Sequence, residues 1–121
     1  MKTNSKKTAN GGNGSKWIRP AKRLALYLRD GFCCAYCGRD LHGAAPAEVT
    51  LDHLRPGHRA GNHGARNLIT ACRSCNSSRQ DRPWMDYATG GAVDRIEQLR
   101  ARELAPYLEL AKALIAGTAG E

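Results

Sequence analysis

Two Cys-x-x-Cys knuckles, Cys34-Ala-Tyr-Cys37 and Cys72-Arg-Ser-Cys75, constrain this chain more than any other feature. Two residues between cysteines let both sulfurs reach one ion from a tight turn, so a matched pair of knuckles suits a single tetrahedral metal ion. The 34 residues between Cys37 and Cys72 then become a closed loop. A structural zinc in such a site supplies about 10–16 kcal/mol of apparent binding free energy at neutral pH. The competing readings are a thioredoxin-like redox pair and disulfides; two matched knuckles favour metal over either. Cys33, the fifth cysteine, reads as a small buried residue or a spare thiol, because Cys34 gives the standard spacing to Cys37.

The metal matters because the rest of the chain is short of core. With 121 residues, 13 glycines and one phenylalanine, there is room for one small domain with modest apolar burial. There is no run of 18 apolar residues, and no apolar stretch follows the polar start Met1–Lys7. A soluble, cytoplasmic protein is expected, with thiols kept reduced for zinc. The net charge is +8, and it is unevenly spread. Residues 1–30 hold eight Lys/Arg against Asp30, residues 31–82 hold seven against four acids, and residues 83–121 hold four against six. A positive field over the knuckle region favours a phosphate backbone as partner.

Residues 1–16 are Lys, Asn, Gly, Ser and Thr for the most part, and read as a disordered basic tail. Pro20 suits the first turn of a helix in which Ala21, Leu24, Ala25 and Leu28 share a face, with Lys22, Arg23 and Arg29 off that stripe and Asp30-Gly31 as the stop. A short hairpin closed by Gly38 is expected at the first knuckle. Alternation and β-branched residues predict a strand over Glu48–Leu54 that carries Asp52 and His53. Strict alternation puts those two on opposite faces unless the strand ends there, and Pro56-Gly57 indicates that it does. The segment from Pro56 to Ala65, with His58, Arg59, His63 and Arg66 in or beside it, reads as a flexible basic loop. A helix is expected to open at Cys75, with Asn76 near its N-terminal end.

The order Cys-x-x-Cys, Asp52-His53, Asn67-Leu68, Cys-x-x-Cys-Asn76-x-x-Arg79 resembles the zinc-knuckle branch of the HNH endonucleases over residues 31–82. The steps of 14 residues from His53 to Asn67 and nine from Asn67 to Asn76 fall where that family has its three named positions, with Asn76 replacing the third-position histidine. The resemblance implies a small α+β, zinc-stabilised ββα-metal (His-Me finger) domain over 17–82, with flanking N- and C-terminal helices. It implies a metal-dependent DNA endonuclease. His53 would be the general base that takes a proton from water, as a group titrating near neutral pH can. Asp52 and Asn76 would hold a catalytic Mg2+ or Mn2+, while Cys34, Cys37, Cys72 and Cys75 hold one structural Zn2+. Asn67 would orient, tying the inter-strand loop to the histidine backbone, and Arg79 would hold phosphate. Arg55, Arg59, Arg66, Arg73 and Arg82 form a basic set from which DNA contacts are expected.

Residues 83–121 read as a helical extension packed on the domain. Trp84, Met85 and Tyr87 are expected to pack. Val93, Ile96 and Leu99 form one stripe, and Leu104, Leu108, Ala111, Leu114 and Ile115 another, with Pro106 imposing a kink or a division into two helices. The acidic lean and apolar stripes are compatible with a homodimer. Small chains of this family are similar to phage-packaging and mobile-element nucleases, which would imply a larger packaging complex. Two other classes of function fit part of the pattern: a catalytically inactive zinc-dependent nucleic-acid-binding module, and a protein-interaction zinc finger. A binder needs none of Asp52, His53 and Asn67, and the basic tail and loop argue against the second.

Overall fold

The strand Leu68–Cys72 (β2) is buried at all five positions, and the other elements are arranged around it. It pairs antiparallel with Val49–His53 (β1) in a two-stranded sheet, in the register Val49↔Cys72 to His53↔Leu68. The structure, a computed structural model, describes residues 18–55 and 64–120, and the side chains up to residue 117. The expected basic tail, Trp17, His58, Arg59 and His63 lie outside the described residues.

In chain order the elements are α1 (Pro20–Arg29), a 3-10 turn Pro46–Glu48, β1, a 3-10 turn Ala65–Asn67, β2, and the helices α2 (Arg73–Arg79), α3 (Trp84–Tyr87), α4 (Ala92–Ala101) and α5 (Ala105–Gly120). The unit β1–β2–α2 is the ββα arrangement, set in a small α+β fold. Period-two alternation in β2 separates two cores. Ile69 and Ala71 join Cys34, Tyr36, Leu41, Leu54, Trp84, Ile96 and Leu99 in the larger one. Leu68 joins Ile18 and Leu26 in the smaller.

Helix α1 begins with Pro20 where the sequence places it, and Gly31 at φ +71° follows its end. Its fully buried positions are Ala25, Leu26 and Arg29, so the face is rotated from the expected stripe of Ala21, Leu24, Ala25 and Leu28. Arg29 is the reason. Its guanidinium is 0% exposed, paired with Asp30 through Nε at 2.7 Å, and donates to the carbonyls of Ala65 (2.9 Å) and Leu68 (2.7 Å). Asp30 in turn accepts the Thr70 backbone N–H at 2.8 Å. A cation with this many partners can sit where an apolar residue would.

The C-terminal residues are part of the core and not merely laid on it: Trp84, Ala88, Ala92, Ile96 and Leu99 share the larger cluster with the first knuckle. Pro106 produces two helices, since α4 ends at Ala101 and Pro106 is the second residue of α5. Two expectations need correction. Met85 is 53% exposed and does not pack, because α3 is a single turn that buries Trp84 on its other side. On the second stripe only Ala111 is buried; Leu114 and Ile115 are 47% and 40% exposed.

Candidate active site and metal centre

The four knuckle cysteines converge. The Sγ atoms of Cys34, Cys37, Cys72 and Cys75 all lie within 4.8 Å of one another. A tetrahedral ion with Zn–S bonds of about 2.3 Å has sulfurs about 3.8 Å apart, and Cys37 and Cys72 stand at 3.9 Å. All five thiols are unbonded, so the disulfide reading is not what the fold shows. Local backbone shapes each knuckle. The Cys37 N–H points to Cys34 Sγ at 3.5 Å and the Cys75 N–H to Cys72 Sγ at 3.4 Å, while Gly38 turns the chain out of the first knuckle at φ +80°. Cys72 is also the N-cap of α2, so the helix opens at Arg73, two residues before the expected start. Burial pushes the Cys34 and Cys75 thiols up. Cys72 is also desolvated, yet hydrogen bonds from the Cys75 backbone and from neighbouring thiols bring it below its ordinary value. The donor set and spacing fit one structural zinc. Cys33 stands outside the cluster, half-buried, in an isolated bridge with Asp40.

Beside the knuckles, β1 ends at His53. Because regular strand geometry stops there, Asp52 and His53 need not point apart, and both line one pocket with Leu51, Asn76, Arg79, Gln80 and Asp81. The pocket holds about 220 Å³. Asp52 is buried and its Oδ2 accepts from two donors, the Tyr36 hydroxyl at 2.5 Å and Arg79 Nη1 at 2.6 Å. Burial, and then the Asp52 charge, push the Tyr36 phenol well up, so it stays a protonated donor. Asn76 Nδ2 donates to Thr50 Oγ1 at 3.0 Å and approaches the Leu51 carbonyl at 3.5 Å. Holding the amide nitrogen leaves Oδ1 as the ligand-type atom of that side chain.

Asn67 is not in this pocket. It sits at the end of the 3-10 turn before β2 and clamps the Arg55 backbone, two residues past His53. Arg79 is 3% exposed, and its guanidinium also donates to the carbonyls of His53, Leu54 and Arg82, each at 2.8 Å. Four of its five N–H groups therefore have partners inside the protein, while the side chain also lines the pocket beside Asp52 and His53. Arg55, Arg66, Arg73 and Arg82 are exposed; Arg82 lies over the Tyr87 ring at 5.0 Å. The Tyr36 contact with Asp52 was not legible in the sequence, since Tyr36 fills a variable position of a knuckle.

Residues 34–82 match the family described as HNH endonuclease. This segment belongs to the HNH family. The HNH segment runs from the first knuckle cysteine to Arg82, so it contains both knuckles, the sheet and α2, while α1, α4 and α5 lie outside it. No curated protein and no solved structure matches the chain. An HNH segment with a four-cysteine cluster points to a nuclease or a nucleic-acid-binding domain that carries zinc.

Proposed function

We propose that the chain is a metal-dependent DNA endonuclease that hydrolyses phosphodiester bonds at the Asp52–His53–Asn76 pocket. The observation that carries this reading is convergence. Asn76 on α2 and the Asp52-His53 pair at the end of β1 line the same pocket inside the HNH segment. Oxygen atoms of Asp52 and Asn76 are suited to Mg2+ or Mn2+. When bound, the ion would neutralise charge at the scissile phosphate and stabilise the departing 3′ oxygen.

His53 takes a proton from water as the water oxygen forms its bond to phosphorus and the bond to the 3′ oxygen breaks. A positioned general base of this kind contributes about 10²–10⁴-fold. Asn67 holds the loop after His53 by its backbone and takes no part in proton transfer. Arg55, Arg66 and Arg73, all exposed, supply phosphate contacts along the DNA; Arg59 shares that proposed role.

The test is relaxation of supercoiled plasmid by zinc-retaining protein, stripped of other ions and given back Mg2+ or Mn2+, beside His53→Ala. Metal-dependent nicking that disappears in the variant supports the reading. Salt-sensitive plasmid binding with no cleavage under either ion would move the protein to the class of zinc-dependent nucleic-acid-binding modules. The Arg79–Asp52 ion pair would then be a purely structural contact.

A further inference from the structure

We propose that Tyr36 is a positioning residue for the divalent-ion site: seated between two knuckle cysteines, it fixes Oδ2 of Asp52 and leaves Oδ1 of that carboxylate as the ligand atom. The inference rests on the proposed nuclease reading only in taking Asp52 as a ligand.

Tyr36 belongs to the turn that Cys34 and Cys37 close, so zinc would fix its backbone from both sides. A second brace comes from outside the HNH segment. Arg95 on α4 donates Nε to the Ala35 carbonyl at 2.9 Å and Nη2 to the Tyr36 carbonyl at 3.1 Å. The ring is buried and meets Tyr87 edge-on at 5.2 Å, so packing holds it on the Asp52 side of the turn. What remains is a hydroxyl aimed at Asp52 Oδ2 at 2.5 Å, with Arg79 Nη1 on the same oxygen at 2.6 Å.

Two short donors, one of them charged, occupy that oxygen. A carboxylate free to turn can offer either oxygen or both, whereas one pinned at Oδ2 offers Oδ1 in a fixed direction, as outer-shell partners of metal ligands do. The zinc knuckle and the divalent-ion site are thereby joined through one side chain. Helix α4 acquires a functional reason to be packed against the knuckle.

The experiment is Mn2+ binding, read by the electron paramagnetic resonance of free and bound ion, on zinc-retaining protein without DNA. Tyr36→Phe keeps the ring and removes only the hydroxyl. It is expected to retain zinc and metal-free DNA affinity while weakening Mn2+ by about 10-fold or more. Asp52→Asn should abolish the same site. Should Tyr36→Phe lose zinc, Arg95→Gln decides, since it loosens the turn without touching the hydroxyl and must also weaken Mn2+. Wild-type Mn2+ affinity in the deciding variant or in Asp52→Asn, or a wild type that binds no Mn2+, overturns the proposal. A wild type that binds Mn2+ through Asp52 and Tyr36 yet leaves plasmid intact sustains it while sinking the nuclease reading.

Discussion

Asn67 holds Arg55 by both ends of its backbone: its Oδ1 accepts the Arg55 N–H at 2.9 Å and its Nδ2 donates to the Arg55 carbonyl at 3.2 Å. With the Leu54 N–H bonded to the Asn67 carbonyl at 2.8 Å, this clamp sets the course of the chain immediately after His53. Asn67→Ala removes both side-chain bonds, at about 0.5–1.5 kcal/mol each. We expect a stability loss of about 1–3 kcal/mol by urea unfolding and a fall in plasmid cleavage of more than 10-fold. Cleavage unchanged at full folding would show that the loop needs no such tie.

Removal of zinc should cost the fold. The cluster joins the first knuckle to the β2–α2 junction, and the chain otherwise buries a small core. Chelation of the four-cysteine site should abolish the cooperative thermal transition, because metal binding free energy of this kind is folding free energy. The pH dependence has a definite sign. Burial raises the Cys34 and Cys75 thiols, so protons compete for the sulfurs, and zinc must displace them. Retention is therefore highest at neutral to alkaline pH and falls as pH falls. Zinc release followed by a chromogenic chelator across pH 5–8 checks it, and release that grew toward pH 8 would contradict the assignment.

The knuckles, the ββα core and the strand end that carries Asp52 and His53 were readable from the sequence because each rests on local spacing: the spacing in Cys34–Cys37 and Cys72–Cys75 places sulfurs, and Asp52-His53 before Pro56-Gly57 marks a strand end. What could not be read depends on which polar side chain meets which across the fold. Arg29 and Arg79 look alike to any composition count as surface cations, yet both are buried. Asp52 comes to Arg79 only when β1 and α2 pack together, and Arg29 finds the Leu68 carbonyl only when β2 is in place. The exposure of Met85 is of the same kind, since a single-turn helix can bury Trp84 or Met85 and the tertiary contacts decide.

Asp30→Ala should be among the most destabilising single changes. Asp30 and Arg29 are both fully buried as side chains, and the carboxylate also receives the Thr70 N–H. Removing one partner leaves an uncompensated buried cation and an unmet backbone donor, which costs about 3–5 kcal/mol. Denaturant unfolding at fixed zinc content measures it; a loss under about 1 kcal/mol would mean that water replaces the carboxylate freely.

Gln80, on the pocket wall, holds a backbone conformation of φ +54° and ψ −127° at the C-terminal end of α2. A residue with a Cβ is strained there, and strain of this sort costs about 1–3 kcal/mol. Gln80→Gly should therefore raise thermal stability by about 1 kcal/mol or more, although glycine has the larger chain entropy to lose. A lower melting temperature would show that the Gln80 side chain contributes more than its backbone costs.

Asn76→His tests the chemistry of the ion site itself. The wild-type ligand atoms proposed from Asp52 and Asn76 are both oxygen, a set that suits hard Mg2+ or Mn2+ better than borderline Zn2+. Asn76 stands at the middle of α2 with its amide nitrogen on Thr50, and an imidazole there would face the same pocket with a nitrogen donor. That change should extend activity toward Zn2+ and Ni2+, which favour imidazole, while the four-cysteine site continues to hold its own zinc. Plasmid cleavage rates with each ion, measured side by side, decide the matter. Equal Zn2+-supported rates in the two proteins would show that the residue at position 76 does not set metal preference, and Asn76 would then be no more than a tether to β1.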